Sequence, residues 1–269
     1  MKDSNIIPWW IIVMVWALSV SAHASEMMIL TVEEPPGNFT DETGDISGLS
    51  VDYVREIQRR MGSTSPILMV PAARLLKTVF SQSNVAAFSV ARTPEREDKA
   101  NWITLVMRKP WALYAKKGSG LRINSLEDAK KVNAIGVLRD GIREDWLKQQ
   151  GFKNLIEASE HEKNIKLLMR EKVSLIFYSP HGAAHLCRKL GYDFNELEPV
   201  LFPHASLSYI VMSKNGTPPE TVKLWQETAQ QIKNDGTFER LAEKWAKYAL
   251  EKNGIQAEVK DGALNFWKE

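Results

Sequence analysis

The residues best suited by type and spacing to do chemistry are Ser89, Arg92 and Arg96, in the stretch Phe88-Ser89-Val90-Ala91-Arg92-Thr93-Pro94-Glu95-Arg96-Glu97. A hydroxyl and guanidinium groups gathered beside free backbone N–H groups make an anion site, because a guanidinium fork grips a carboxylate in bidentate fashion. The apolar run Val85 to Phe88 reads as a buried strand, and Thr93-Pro94 as a helix start with Thr93 as N-cap. Strand ends of this kind are where α/β sheets bind ligands. The alternative is that Arg92 and Arg96 pair with Glu95, Glu97 and Asp98 on a solvated turn, where such pairs contribute little.

The surrounding pattern supplies elements to position these groups. Met27 to Val32 reads as a first strand ending in the rigid loop Glu33-Glu34-Pro35-Pro36-Gly37-Asn38-Phe39. After Gly48, the apolar residues Leu49, Val51, Val54, Ile57 and Met61 recur at helical spacing, with Gly62 as C-cap. Pro66 to Val70 is a second strand, and Pro71 opens a helix with Leu75, Leu76 and Val79 on one face. Arg74 lies in its first turn, where a cation opposes the macrodipole, so it either meets an anion from the cleft or is solvated. Further strands are expected at Asn133 to Leu138, Lys153 to Glu157, Val173 to Phe177 and Leu207 to Met212, with helices between and after them. The loop Arg139-Asp140-Gly141-Ile142-Arg143 leads into one of those helices, and Tyr178-Ser179-Pro180-His181-Gly182 into another. Beyond Tyr248 there is no periodicity, although Phe266 and Trp267 are suited to docking on a lobe.

The Ser89, Thr93 and Arg96 spacing, followed by Trp102, resembles the signature of the bacterial extracellular solute-binding proteins of family 3, receptors of the polar amino-acid type for ABC transporters. Gly48-Leu49-Ser50-Val51-Asp52-Tyr53, Ala134-Ile135-Gly136-Val137 and Asn234-Asp235-Gly236-Thr237 are similar to further family motifs, in family order over Glu26 to Tyr248. The resemblance implies an α/β fold of two hinged lobes with the ligand in the cleft between them. It implies a first lobe from 25–109 and 205–250, an inserted second lobe from 110–204, and a tail from 251–269. It further implies that Arg96 holds a ligand carboxylate assisted by Ser89, and that an aromatic side chain from the first loop, here Phe39, covers the ligand; an ordinary packed loop aromatic is the alternative. In relatives that bind α-amino acids an Asp accepts the ammonium where Ser179 stands, beside Tyr178. The facing turn here carries Arg139 and Arg143 in place of hydroxyls. Without that Asp the expected ligand is a small anionic or polar organic solute, amino-acid-like or a carboxylate lacking a free amine, unless Glu33, Glu34, Glu144 or Asp145 receives the amine.

Composition narrows the class. At 269 residues, with 35 basic and 33 acidic, the chain has no polyelectrolyte character, so a nucleic-acid partner has no support. A single cysteine, Cys187, excludes an internal disulfide and a Cys-cluster metal site. His181 and His185 lie at a spacing that shares a helix face, but no third ligand is evident, so neither metal nor cofactor is expected. Residues 1–24 read as a cleavable signal peptide: Lys2, an apolar run from Ile6 to Val20, then Ala22-His23-Ala24. The run is shorter than the about 20 residues a span needs, which weighs against the alternative of a retained anchor. The expectation is a monomeric, periplasmic receptor for a small-molecule solute that engages the membrane permease of an ABC importer. A membrane sensor as its reader, or a dehydratase-like enzyme on the same fold, are the alternatives.

Overall fold

In the computed structural model, which describes residues 27–266, the apolar runs form one ten-stranded sheet and a separate two-stranded hairpin. The expected leader and Trp267 lie outside the described residues. Successive side chains of β1 (Met28–Thr31) point to opposite faces, so Ile29 enters one core cluster and Leu30 another. The short strands β2 (Phe39–Thr40) and β3 (Ile46–Ser47) pair ahead of α1 (Leu49–Met61), which buries Leu49, Val51, Val54 and Ile57 and ends on Gly62 in the left-handed region at φ 66°. Next come β4 (Ile67–Met69), α2 (Ala72–Ser81) and β5 (Val85–Ala91), with β1 parallel to both β4 and β5. The helix start read at Thr93-Pro94 is a 3-10 helix, Pro94–Lys99, and Thr93 makes no side-chain capping bond.

The long strand β6 (Ala100–Lys116) then carries the chain into a second group of elements. These are α3 (Leu126–Ala129), β7 (Ile135–Leu138), α4 (Ile142–Gln149), β8 (Leu155–Ala158), α5 (His161–Met169), β9 (Leu175–Tyr178) and α6 (Pro180–Leu190). An equally long strand, β10 (Leu197–Ser213), returns to the first group, completed by α7 (Pro219–Asn234) and α8 (Thr237–Asn253). The strand order is β4-β1-β5-β10-β6-β9-β7-β8. Each group has its own core on both faces of its part of the sheet. In the first, Ile29 and Phe88 meet Val54, Trp225 and Trp245, while Leu30 and Ala87 meet Leu75 and Val79. In the second, Tyr114 and Ile176 meet Ile165 and Leu186, while Leu113 and Ile135 meet Leu147 and Phe152. The molecule is thus two α/β lobes joined by β6 and β10, which pair antiparallel from Leu197↔Lys116 to Ser213↔Ala100. This is the hinged, two-lobed fold class expected from the sequence.

The tail is ordered where the sequence showed no period. After Gly254, at φ 65°, β11 (Glu258–Lys260) and β12 (Ala263–Asn265) form a hairpin. β12 pairs parallel to β6 through Leu264↔Met107 and Asn265↔Arg108, and Phe266 N donates to Arg108 O at 3.0 Å. Ala263 and Leu264 are fully buried, and the Phe266 ring lies 3.9 Å from that of His181 on α6, in the other lobe.

Candidate functional site

The loop after β1 delivers two carboxylates to the cleft, and its shape is fixed by the start of α1. The first N–H groups of a helix have no partner within it. Here Leu49 N donates to Pro36 O at 3.1 Å and Ser50 N to Gly37 O at 2.9 Å. So close an approach requires glycine at 48, which sits at φ 133°, because a Cβ there would lie 2.2 Å from Gly37 O. Asn38 closes the loop: its side chain donates to Val32 O and accepts from Ser89 Oγ, while its backbone O accepts from Glu34 N at 2.7 Å. Glu33 and Glu34 are therefore held at the strand end.

Ser89 is aimed by a β-bulge. The ladder between β5 and β10 runs Val90↔Tyr209 and then Phe88↔Ile210, which leaves Ser89 unpaired at φ 63°. A bulge re-aims a side chain, and a non-glycine residue in this region stores about 1–3 kcal/mol. Arg96, on the 3-10 helix just beyond, is half-buried. Its Nη1 donates to Ala91 O at 3.3 Å, and it has no ion-pair partner among the described residues. Burial pulls its pKa down; Asp145 and Glu95 oppose this, neither of them within ion-pair distance.

The second lobe contributes the N-terminus of α4 and the ends of β9 and α5. Arg143 Nη2 donates to Glu34 Oε1 at 2.8 Å, and Lys109 Nζ lies 3.3 Å from the same oxygen. Both cations are buried. The Arg143 guanidinium lies 4.5 Å from the centre of the Tyr178 ring and 5.4 Å from that of Trp111, a favourable stacking geometry. Burial alone would raise the pKa of Glu34, but Arg143 and Lys109 outweigh it and bring it to about 2. Burial lowers that of Lys109 and pushes the Tyr178 phenol well above its usual range. His161, the first residue of α5, packs its ring 4.2 Å from Tyr178; burial, then Arg143, lower its pKa to about 4, so it is neutral. Glu162 pairs with Lys189 at 3.0 Å. Glu33 accepts from Thr40 N at 3.2 Å and has its pKa raised by burial.

Glu33, Glu34, Ser89, Arg96, Arg143, His161, Glu162 and Tyr178 line a cavity of about 520 Å³ between the lobes, and Lys109 lies behind Glu34 outside its lining. Of the residues singled out in the sequence, Ser89, Arg96, Arg143 and Tyr178 line it, and Phe39, Arg74, Arg92 and Ser179 do not. Phe39 is core: its ring centroid lies 5.8 Å from Trp245 and 5.9 Å from Tyr248. Arg74 is exposed, because α2 turns Ala72, Leu75 and Leu76 to the cavity instead. Arg92 takes the surface-pair alternative, bound through Nε to Glu97 at 2.8 Å and lying over Trp102 and Tyr209. Ser179 is fully buried as the N-cap of α6, where it accepts from Gly182 N at 3.4 Å. It therefore holds no place facing the ligand. His181 and His185 face Phe266 and Phe39, and among the described residues no group of His, Cys, Asp and Glu is disposed to hold a metal.

Sequence reasoning missed Lys109, His161, Glu160 and Glu162, and weighed Glu34 only as a fallback. The acidic pair before Pro35-Pro36 was a usable signal. For His161 there was none, since only the pairing of β7 with β8 brings the start of α5 to the cleft.

Comparison with known proteins agrees with the two-lobed fold. The family model for bacterial extracellular solute-binding proteins, family 3, matches residues 27–248. An arginine-binding periplasmic protein of Mannheimia haemolytica is 22% identical over 229 residues, covering 84% of this chain and 93% of the relative. Among solved structures, a histidine kinase sensor domain with similarity to periplasmic binding proteins superposes with a TM-score of 0.72 at 18% identity, over 81% of this chain and 95% of the other. An ancestral arginine-binding protein bound to arginine gives 0.69 at 20% identity, over 83% and 99%.

Proposed function

Because this chain belongs to the bacterial extracellular solute-binding proteins of family 3, we propose that it is a periplasmic receptor that closes its lobes on one small amphoteric solute and presents it to the permease of an ABC importer. The observation that carries this reading is the state of Arg96. Arg143 is neutralised by Glu34, whereas Arg96 is half-buried with one carbonyl contact and no carboxylate partner among the described residues. A desolvated guanidinium with unused donors is a carboxylate site. Ser89 lines the same cavity, with its hydroxyl hydrogen given to Asn38 Oδ1.

The same cavity supports a cationic group at the ligand's other end. Its lining includes Glu33, Glu34, Asp140, Glu160 and Glu162 against Arg96 and Arg143. Only Glu34 and Glu162 have ion-pair partners of their own among the described residues. The expectation of an amine-free acid rested on the Asp missing at 179 and on the charges of Arg139 and Arg143; Ser179 is a helix cap, Arg139 pairs with Glu157 and Arg143 with Glu34. A basic amino acid fits the charges better, in keeping with the arginine-binding relative. We read the protein as a binder and not a dehydratase, with a membrane sensor as the alternative reader of its closed form.

The test is a thermal-shift series on protein stripped of bound solute, with L-arginine, L-lysine, agmatine and deaminated analogues. A ligand at 100 times its Kd adds about 2.7 kcal/mol of stability. L-arginine or L-lysine should stabilise wild type, agmatine should not, and Arg96→Ala should abolish the shift. Stabilisation by the deaminated acids alone would return the ligand to the anionic class.

A further inference from the structure

The cleft does not end at Arg96. A second cavity, of about 420 Å³, shares Ala91, Arg96 and Ile142 with the first and continues toward the hinge. One helical face of α4 is given to it: Ile142, Asp145, Trp146 and Gln149 all line it, at spacings of three and four residues, while Leu147 goes to the lobe core. The opposite wall is the hinge strand β10, with His204 and Ser206.

Several polar groups in this chamber are unspent. The Asp145 carboxylate, Ser206 Oγ, the His204 ring nitrogens and Trp111 Nε1 have no protein hydrogen-bond partner among the described residues. Ser206 is 6% exposed and Trp111 2%. Asp145 is exposed and none of these atoms is closed off from solvent, so each is open to pair with a solute that enters the chamber. The two lobes already meet across the chamber through Gln149 Nε2, which donates to Glu95 Oε1 at 3.4 Å, so closure encloses it together with the first cavity.

We infer that this chamber is a second ligand subsite, and that the solute is a peptide-linked basic amino acid, of dipeptide length, and not the free amino acid. This rests on the proposed role of Arg96. A carboxylate held there belongs to a carbon with two other substituents. The cationic side chain runs into the first cavity among Glu33, Glu160 and Asp140. The amide-linked extension runs into the second, where Ser206 and Trp111 meet the peptide group and Asp145 meets the terminal ammonium. A free amino acid fills the first cavity and leaves the second to solvent.

Calorimetric titration of the stripped protein with L-arginine and with L-alanyl-L-arginine tests this, in wild type and in two chamber-filling variants, Ser206→Leu and Gln149→Trp. The quantity read is the ratio of the two dissociation constants. In wild type the dipeptide should bind at least tenfold more tightly, and in each correctly folded variant the ratio should fall to about one. Gln149 is exposed, so its variant remains informative if Ser206→Leu does not fold. Arginine binding as tightly as the dipeptide in wild type, or a ratio that the variants leave unchanged, overturns the subsite and leaves the amphoteric-solute reading standing. Binding of neither compound overturns both.

Discussion

Glu34 and Arg143 face each other across the cleft, one from each lobe, with Nη2 donating to Oε1 at 2.8 Å and Lys109 sharing the same oxygen at 3.3 Å. Removing one member of a buried charge cluster costs about 3–5 kcal/mol, because the remaining charges lose their compensation. Glu34→Gln leaves two buried cations facing an amide. Its urea unfolding free energy should fall by that amount, and a loss under about 1 kcal/mol would mean that water already screens the cluster.

Arg96 should behave in the opposite way. It has no carboxylate to strand, so Arg96→Met should leave the unfolding midpoint of the solute-free protein unchanged or slightly raised while binding disappears. A collapse in thermal stability would show that Arg96 holds the fold and not the ligand.

Acid should destabilise the protein in two stages. His161 and His185 have pKa values near 4, and His181 near 3, all lowered first by burial from 6.5. Each gains a proton on unfolding below pH 6.5. Their contribution is complete above that pH and is lost as pH falls toward about 4. Glu34, at about 2 against 4.5 for an ordinary glutamate, contributes above pH 4.5 and is lost as pH falls toward about 2. The urea midpoint should decline steadily below about pH 6.5, and a flat profile down to pH 4.5 would contradict the neutral histidines.

His181 offers a separate check. Both ring nitrogens are buried without partners, against Phe266. Because an unsatisfied buried polar group costs about 1–3 kcal/mol, His181→Leu should be neutral to stabilising and should shallow the upper part of the acid profile. Marked destabilisation would indicate that a buried water serves the ring.

The tail should matter although the family match stops at residue 248. Deleting 263–269 removes buried Leu264 and Phe266, each worth about 1.5–3 kcal/mol, and exposes the β6 edge beside Lys109. The expected result is a fall of several kcal/mol in unfolding free energy; an unchanged urea midpoint would show the hairpin to be dispensable.

Legibility in the sequence followed the range of the interactions. The periods of α1 and β5, the glycine at 48 and the place of Arg96 at the strand end are local, and they could be read. What was misread turned on facing direction. Ser179 looked like a ligand residue by position, but a serine ahead of Pro180 at a helix start also caps that helix, and the cap took its hydroxyl. Phe39 was undecided between core and pocket because an aromatic ring suits both. The tail hairpin was invisible, since β12 finds its partner in β6, far back along the chain.

The two joining strands carry a mechanical consequence. In the second lobe the extra residues of their ladder lie on β10, between Pro199 and Leu201 and between Leu201 and His204. In the first lobe they lie on β6, opposite Ser208–Tyr209 and Ile210–Val211. A bulged strand bends, so the ribbon curls one way in one lobe and the other way in the next. Only the pairs from Trp111↔His204 to Met107↔Ser208 run regularly between the two curls. Lys109 lies on that regular middle, so any change in the angle between the lobes would move the cation that Glu34 grips.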